Sequence, residues 1–129
     1  MIVCLIHWKI RKGKEPEFIA SWQTKYTVQN RDGLIGEYLS EVKTNVDYPY
    51  ITWDFCCDDT ANEAGCSHFL NVAIWQSAER FYDEIAKNFN DSRPILDFEI
   101  ERRKRVLIAP IQWRAGPSAL PENDSPGVK

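Results

Sequence analysis

His7 is one of only two histidines in the chain, and it stands where a change of charge could matter. Within residues 2–11 (IVCLIHWKIR), Cys4, Ile6, Trp8 and Ile10 fall on one side of an extended chain. Val3, Leu5, His7, Lys9 and Arg11 fall on the other, apolar at first and polar afterwards. A neutral imidazole at that transition could take a phenolic proton near neutral pH. The anion left behind is electron-rich and could react directly with O₂. The competing reading is a strand histidine satisfied by hydrogen bonds and without chemistry.

Trp75 closes the run HFLNVAIW at 68–75. It could stack on a flat substrate, or anchor the corner where a strand meets a helix. Asn71 lies an even number of residues before it, so both side chains share one side of a strand. A buried Asn must find hydrogen-bond partners; it could orient a substrate carbonyl or pair only with backbone. Tyr38 is a comparable candidate on the preceding strand. Trp8 and Trp22 belong to apolar stripes and read as core.

Cys56, Cys57, Cys66 and His68 offer a soft ligand set of the kind zinc accepts. No paired C-x-x-C spacing is present, and adjacent cysteines in a strand point to opposite faces. The expectation is therefore no metal site and cysteines that act as small apolar side chains, with a redox pair such as Cys57 and Cys66 as an alternative. The basic run Arg102-Arg103-Lys104-Arg105 follows Asp97, Glu99 and Glu101. It reads as a solvated, partly self-neutralised element end rather than a phosphate site. There is no glycine-rich phosphate loop, Gly-x-Ser-x-Gly or paired-carboxylate arrangement to suggest nucleotide use or hydrolysis.

These residues need elements to hold them. Residues 2–11 form a first strand. Lys12-Gly13-Lys14 turns, Pro16 suits a first helical turn, and Phe18, Trp22 and Tyr26 recur every four residues, predicting a helix to about Asn30. Gly33 then supplies a helix exit. A second strand is expected at 34–44, an inserted extended arm at 48–57 and a strand at 68–75. Ser77 should cap a helix with a buried stripe of Phe81, Tyr82, Ile85, Ala86 and Phe89. A short further helix at 95–100 and a final strand at 105–113 complete the order. Two β-α-β halves make the α+β, ferredoxin-like arrangement, with helices on one face of an antiparallel sheet. Residues 1–114 form that domain, and 115–129 a flexible or arm-like tail poor in apolar residues. Tyr38, Phe69, Trp75 and Trp113 are too many large aromatics for a sheet with one solvated face. A symmetric homodimer, sheet against sheet, would cover them.

A chain of 129 residues suits one domain, and 43% hydrophobic with 27% charged residues is ordinary for a globular protein. A net charge of -3 speaks against a nucleic-acid partner. No apolar run reaches the ~18 residues that cross a bilayer, and the start of the chain lacks a basic leader and cleavage site. The expectation is a cytoplasmic protein with reduced thiols and no membrane partner.

The segments HWKIRKGKEPEFIASW, FLNVAIWQSAERFYDEI and RVLIAPIQW resemble the antibiotic biosynthesis monooxygenase superfamily, the dimeric α+β barrels, over roughly 2–114. The matching motif is a strand ending in Trp75, the polar cap Ser77, Glu79 and the helical aromatic Phe81. That resemblance implies a pocket between helices and sheet. It also implies cofactor-free oxygenation of aromatic polyketides or quinols, or haem degradation in one branch. Family oxygenases use a strand-one Asn and the strand-end Trp; Trp75 matches the second, and His7 stands at the first. The haem-degrading branch carries a second-helix His, and 83–89 has none.

The resulting expectation is a cofactor-independent monooxygenase of a small aromatic or quinol-type compound, with His7 and Trp75 catalytic and Asn71 and Tyr38 binding substrate. The alternative is a non-catalytic dimeric module binding a small hydrophobic ligand or protein partner. A third reading is haem binding through His7 or His68 without degradation.

Overall fold

The computed structural model describes residues 1–26, 28–43, 48–52, 55, 66–90 and 92–118. Strand β1 (Ile2–Arg11) leads through Gly13, which has a positive φ of 89°, into helix α1 (Glu15–Thr24). Strands β2 (Leu34–Glu41) and β3 (Cys66–Trp75) follow, then helix α2 (Ala78–Glu84) with a single 3₁₀ turn at Ala86–Asn88, and finally β4 (Lys104–Ile108). The four strands form one sheet in the order β2-β3-β1-β4, and each neighbouring pair is antiparallel. This is the ferredoxin-like α+β fold.

The pleat sorts every side chain. β1 and β3 pair without interruption from Ile2 opposite Trp75 to Arg11 opposite Cys66. Residues directly opposite each other share a face, so Cys4, Ile6, Trp8 and Ile10 join Phe69, Asn71, Ala73 and Trp75 beneath the helices. Phe18 of α1 is fully buried there, its ring centroid 4.8 Å from that of Trp8, 5.1 Å from Phe69 and 5.5 Å from Phe98. Phe81 of α2 packs with Cys4, Val28, Ala73 and Trp75 in a second cluster. Ser77 caps α2 as expected, its hydroxyl accepting from the Arg80 N–H at 3.2 Å.

Several boundaries differ from expectation. α1 stops at Thr24 rather than near Asn30. The Lys25 and Tyr26 N–H groups both turn back to the Ser21 carbonyl, and the Thr24 hydroxyl bonds that of Ala20. The aromatic and β-branched run that follows has weak helix propensity. β2 ends at Glu41, short of 44. The described residues of the expected arm at 48–57 contain no strand. The Ile51 N–H bonds the Tyr48 carbonyl at 2.9 Å, closing a turn around Pro49, a residue preset for that position. The expected helix at 95–100 is also a turn, closed by Glu99 N–H to the Leu96 carbonyl and by Leu96 N–H to the Glu99 carboxylate. β4 starts one residue early and ends at Ile108. Pro110 lacks the N–H that would continue the ladder, and 109–118 is exposed without regular structure. Tyr82 is 58% exposed and lies outside the buried stripe. Residues 119–129 of the expected tail lie outside the described residues.

Among the described residues, no helix packs on the opposite sheet face. Its rows run Tyr38, Val72, Leu5, Val106 and Ser40, Leu70, His7, Lys104. Tyr38 and Val106 are each 53% exposed and Ile108, in the next row, 45%. Phe69 and Trp75 belong to the helix side, and Trp113 projects beyond β4.

Candidate functional site

Between the helices and the sheet lies a cavity of about 320 Å³, at the small end of the range usual for ligand sites. β1 and β3 supply its floor through Cys4, Ile6, Trp8, Asn71, Ala73 and Trp75. Trp22 and Tyr26 from α1 and Phe81 from α2 close it from above, with Phe89 after α2. Its two ends differ in charge. β2 contributes Glu37, while β4 and the residues just before it contribute Arg102, Arg103 and Arg105.

Register explains the placement. Across the sheet, one row runs Glu37, Ala73, Cys4, Leu107 and the next runs Leu39, Asn71, Ile6, Arg105. Glu37 and Arg105 therefore stand on the two edge strands, on the same face, with the cavity floor between them.

A hydrogen-bonded chain crosses the Glu37 end. The Trp22 indole N–H donates to Asn71 Oδ1 at 3.0 Å, and Asn71 Nδ2 donates to Glu37 Oε2 at 3.3 Å and more weakly to the Tyr38 carbonyl at 3.5 Å. Asn71 is only 3% exposed, so this network gives its amide the partners that burial demands. Glu37 is half-buried. Desolvation pushes its carboxyl above the ordinary carboxylate range, against the opposing pull of the Asn71 hydrogen bond and the Arg31 charge. The fully buried Trp75 Nε1 has no hydrogen-bond partner among the described residues, and neither has Trp8 Nε1. Burial pushes the Cys4 thiol up to about 11, with Arg105 opposing and Glu37 adding to the rise. Cys4 is therefore a neutral wall of the cavity.

At the other end the guanidinium groups are held by their surroundings. Arg103 bonds Glu99 at 3.0 Å and lies 4.1 Å over the Trp8 ring centroid. Arg105 lies 4.0 Å over the Phe89 ring. The basic run is partly self-neutralised, as expected, by Glu99 and by a Lys104–Glu101 contact of 3.7 Å. It is not merely a solvated end, because alternate residues on β4 point under the helices.

Of the four residues singled out from sequence, Trp75 and Asn71 line this cavity. His7 and Tyr38 do not, because each is opposite a β3 residue of the other parity, Leu70 and Val72. His7 instead contacts His68 on the opposite face of the sheet, Nε2 to Nδ1 at 2.9 Å. His68 Nε2 lies 3.7 Å from Cys66 Sγ, and the Phe55 ring sits 4.5 Å from that of His7. Burial first, then the charges of His68, Lys9 and Lys104, push His7 down to about 4 despite Glu101. Its imidazole is neutral at pH 7. Among the described residues no group of three or more His, Cys, Asp or Glu is placed to hold a metal ion; Cys56 and Cys57 lie outside them. No helix among the described residues is long and apolar enough to cross a membrane.

Sequence reasoning missed Glu37, Trp22 and the cavity-facing arginines. The available signal for Glu37 was parity. It shares a side with Leu39, and an acid on the apolar side of a half-buried strand needs a reason.

No family model matches the chain, and no curated protein matches it. Among solved structures, the chain is similar to a Bacillus cereus protein provisionally described as an antibiotic biosynthesis monooxygenase. The TM-score is 0.54 at 12% identity, covering 92% of this chain and 98% of the other. What the two proteins share is the ferredoxin-like fold.

Proposed function

We propose that the chain is a cofactor-independent oxygenase of a small, flat phenolic or quinol-type compound, acting in the cavity beneath its helices as a cytoplasmic homodimer. The observation that carries this reading is Glu37, one acid of raised basicity at the end of an aromatic-walled cavity, held by Asn71. A base facing apolar walls can take a proton from an activated C–H or O–H group of the substrate. The resulting anion gives electrons to O₂ and forms a hydroperoxide. Loss of water from that adduct leaves a carbonyl, so the substrate as a whole loses two hydrogens, gains one oxygen atom and releases the other oxygen of O₂ as water. Trp75 and Trp22 would hold the ring system, and the Trp75 N–H is available to a developing oxyanion. The name of the Bacillus cereus neighbour points the same way.

Pairing of two subunits would cover the exposed Tyr38, Val106 and Ile108 on the sheet face opposite the helices. Light scattering at micromolar concentration should then give twice the chain mass.

Oxygen uptake with an anthrone and a naphthohydroquinone tests the chemistry. Glu37→Gln should lower kcat/KM on the order of a hundredfold or more, while His7→Ala should change it little. Unchanged turnover in Glu37→Gln would remove the carboxylate from the mechanism. Loss confined to His7→Ala would return the base to the opposite face. Saturable binding of both compounds without oxygen uptake would leave the binding module.

A further inference from the structure

We propose that the substrate carries a carboxylate, and that Arg105 and Arg102, with Arg103 beside them, form the subsite that receives it. The inference rests on the functional reading of the same cavity and adds to it the chemical class of the ligand.

Charge is distributed unevenly around the cavity. Four arginines line it: Arg102, Arg103, Arg105 and, from the loop after the 3₁₀ turn, Arg93. Glu37 is the one carboxylate among its described lining residues. Glu99 compensates Arg103 through its 3.0 Å ion pair, and among the described residues Arg102 and Arg93 have no paired carboxylate. A ligand that displaces water from this surplus guanidinium charge beside aromatic walls is penalised unless it brings an anion with it. A ligand with an acidic group resolves that imbalance.

The arginines are also arranged for recognition rather than for general attraction. The Arg105 guanidinium carbon lies 4.0 Å from the Phe89 ring centroid and that of Arg103 4.1 Å from the Trp8 centroid. A ring packed against a guanidinium restricts its movement, and a guanidinium can meet a carboxylate in two-point fashion. Little side-chain entropy remains to be lost when the anion arrives.

The register sets the length of the molecule. Glu37 stands on β2 and Arg105 on β4, with β3 and β1 between them. Three strand intervals at ~4.8 Å put the two edge backbones roughly 14 Å apart. Glutamate and arginine side chains reaching inward leave a gap that a fused-ring system can bridge. A hydroxyl at one end would meet Glu37, and an acid at the other would meet the arginines. The ligand would lie across the strands, over Cys4, Ile6 and Ala73.

Isothermal titration calorimetry of the whole chain with 6-hydroxy-2-naphthoic acid and 2-naphthol tests this. The two probes share the ring and the hydroxyl and differ in the carboxylate. The acid should bind at least tenfold more tightly at low salt, and the advantage should shrink as salt rises. Arg102→Gln and Arg105→Gln should each remove most of the advantage of the acid over 2-naphthol. Equal affinity of the two probes in the parent protein would overturn the subsite, and that comparison needs no variant to fold. Failure of both probes to bind would overturn it too, since the acid carries every group the site is argued to read. Equal affinities alongside oxygen uptake would refute the subsite and spare the oxygenase reading. A clear preference for the acid without uptake would do the reverse.

Discussion

Replacing His7 by Gln should change how stability depends on pH, by an amount the structure sets. In the fold, His7 is pushed from 6.5 down to about 4, chiefly by burial and then by the charges of His68, Lys9 and Lys104. The unfolded chain therefore binds a proton at this position between those two pH values, and the folded chain does not. Stability contributed by a lowered imidazole is fully present above about 6.5 and is lost as pH falls toward 4. At 1.36 kcal/mol for each pKa unit, falling from 6.5 to pH 5 would cost at most about 2 kcal/mol. His7 is partly solvated and shares its proton affinity with His68 across 2.9 Å, so about 1 kcal/mol is the expected loss. Urea unfolding of parent and His7→Gln at pH 7.5 and pH 5.0, at one protein concentration, measures it. Titrations of groups that do not interact with His7 cancel in the difference between the two proteins. The variant should lose about 1 kcal/mol less than the parent on acidification. If both lose the same amount, His7 titrates normally in the fold and its burial against His68 has been misjudged.

Phe18→Ala should cost about 3–5 kcal/mol in urea unfolding, since the ring is fully buried against Trp8, Phe69 and Phe98. A loss below about 1 kcal/mol would mean that α1 is not docked there. Gly33→Ala should destabilise by more than about 1 kcal/mol, because φ is +85° and an added Cβ would meet the Arg80 Cβ at 2.9 Å. A neutral outcome would show that β2 is entered by another backbone path. Cys4, raised to about 11, should resist iodoacetamide at pH 8 in the folded protein and react on unfolding, as mass spectrometry of the labelled peptide can follow. Rapid labelling in the native state would place the thiol in contact with solvent.

The alternation in 2–11 and 68–75 was enough to identify the two central strands, and the four-residue spacing of Phe18, Trp22 and Tyr26 to identify α1. Ser77 marked the start of α2 by capping chemistry alone. The order of elements then led to the sheet, because few topologies accommodate two β-α-β halves. Residues 48–52 form a turn where an extended arm was expected, because aromatic and β-branched residues favour strands on average, whereas the hydrogen bond around Pro49 is a local matter that averages do not carry. The site was half legible. Asn71 and Trp75 share a parity within one strand, and that could be counted along the chain. Whether His7 and Tyr38 share their face depends on register between strands, which no single segment encodes. Glu37 and Arg105 are far apart in sequence and opposed only after three strand pairings are known.

Strand β3 serves two surfaces through alternate residues: Phe69, Asn71, Ala73 and Trp75 look under the helices, while His68, Leu70, Val72 and Ile74 look the other way. Insertion or deletion of one residue within it would exchange the two inventories, bringing Leu70 and Val72 inside and turning Asn71 and Trp75 outward. Divergence of this chain is thereby confined to point substitution along that strand. Changes of length belong to the segment between β2 and β3, where added residues leave the pleat in phase.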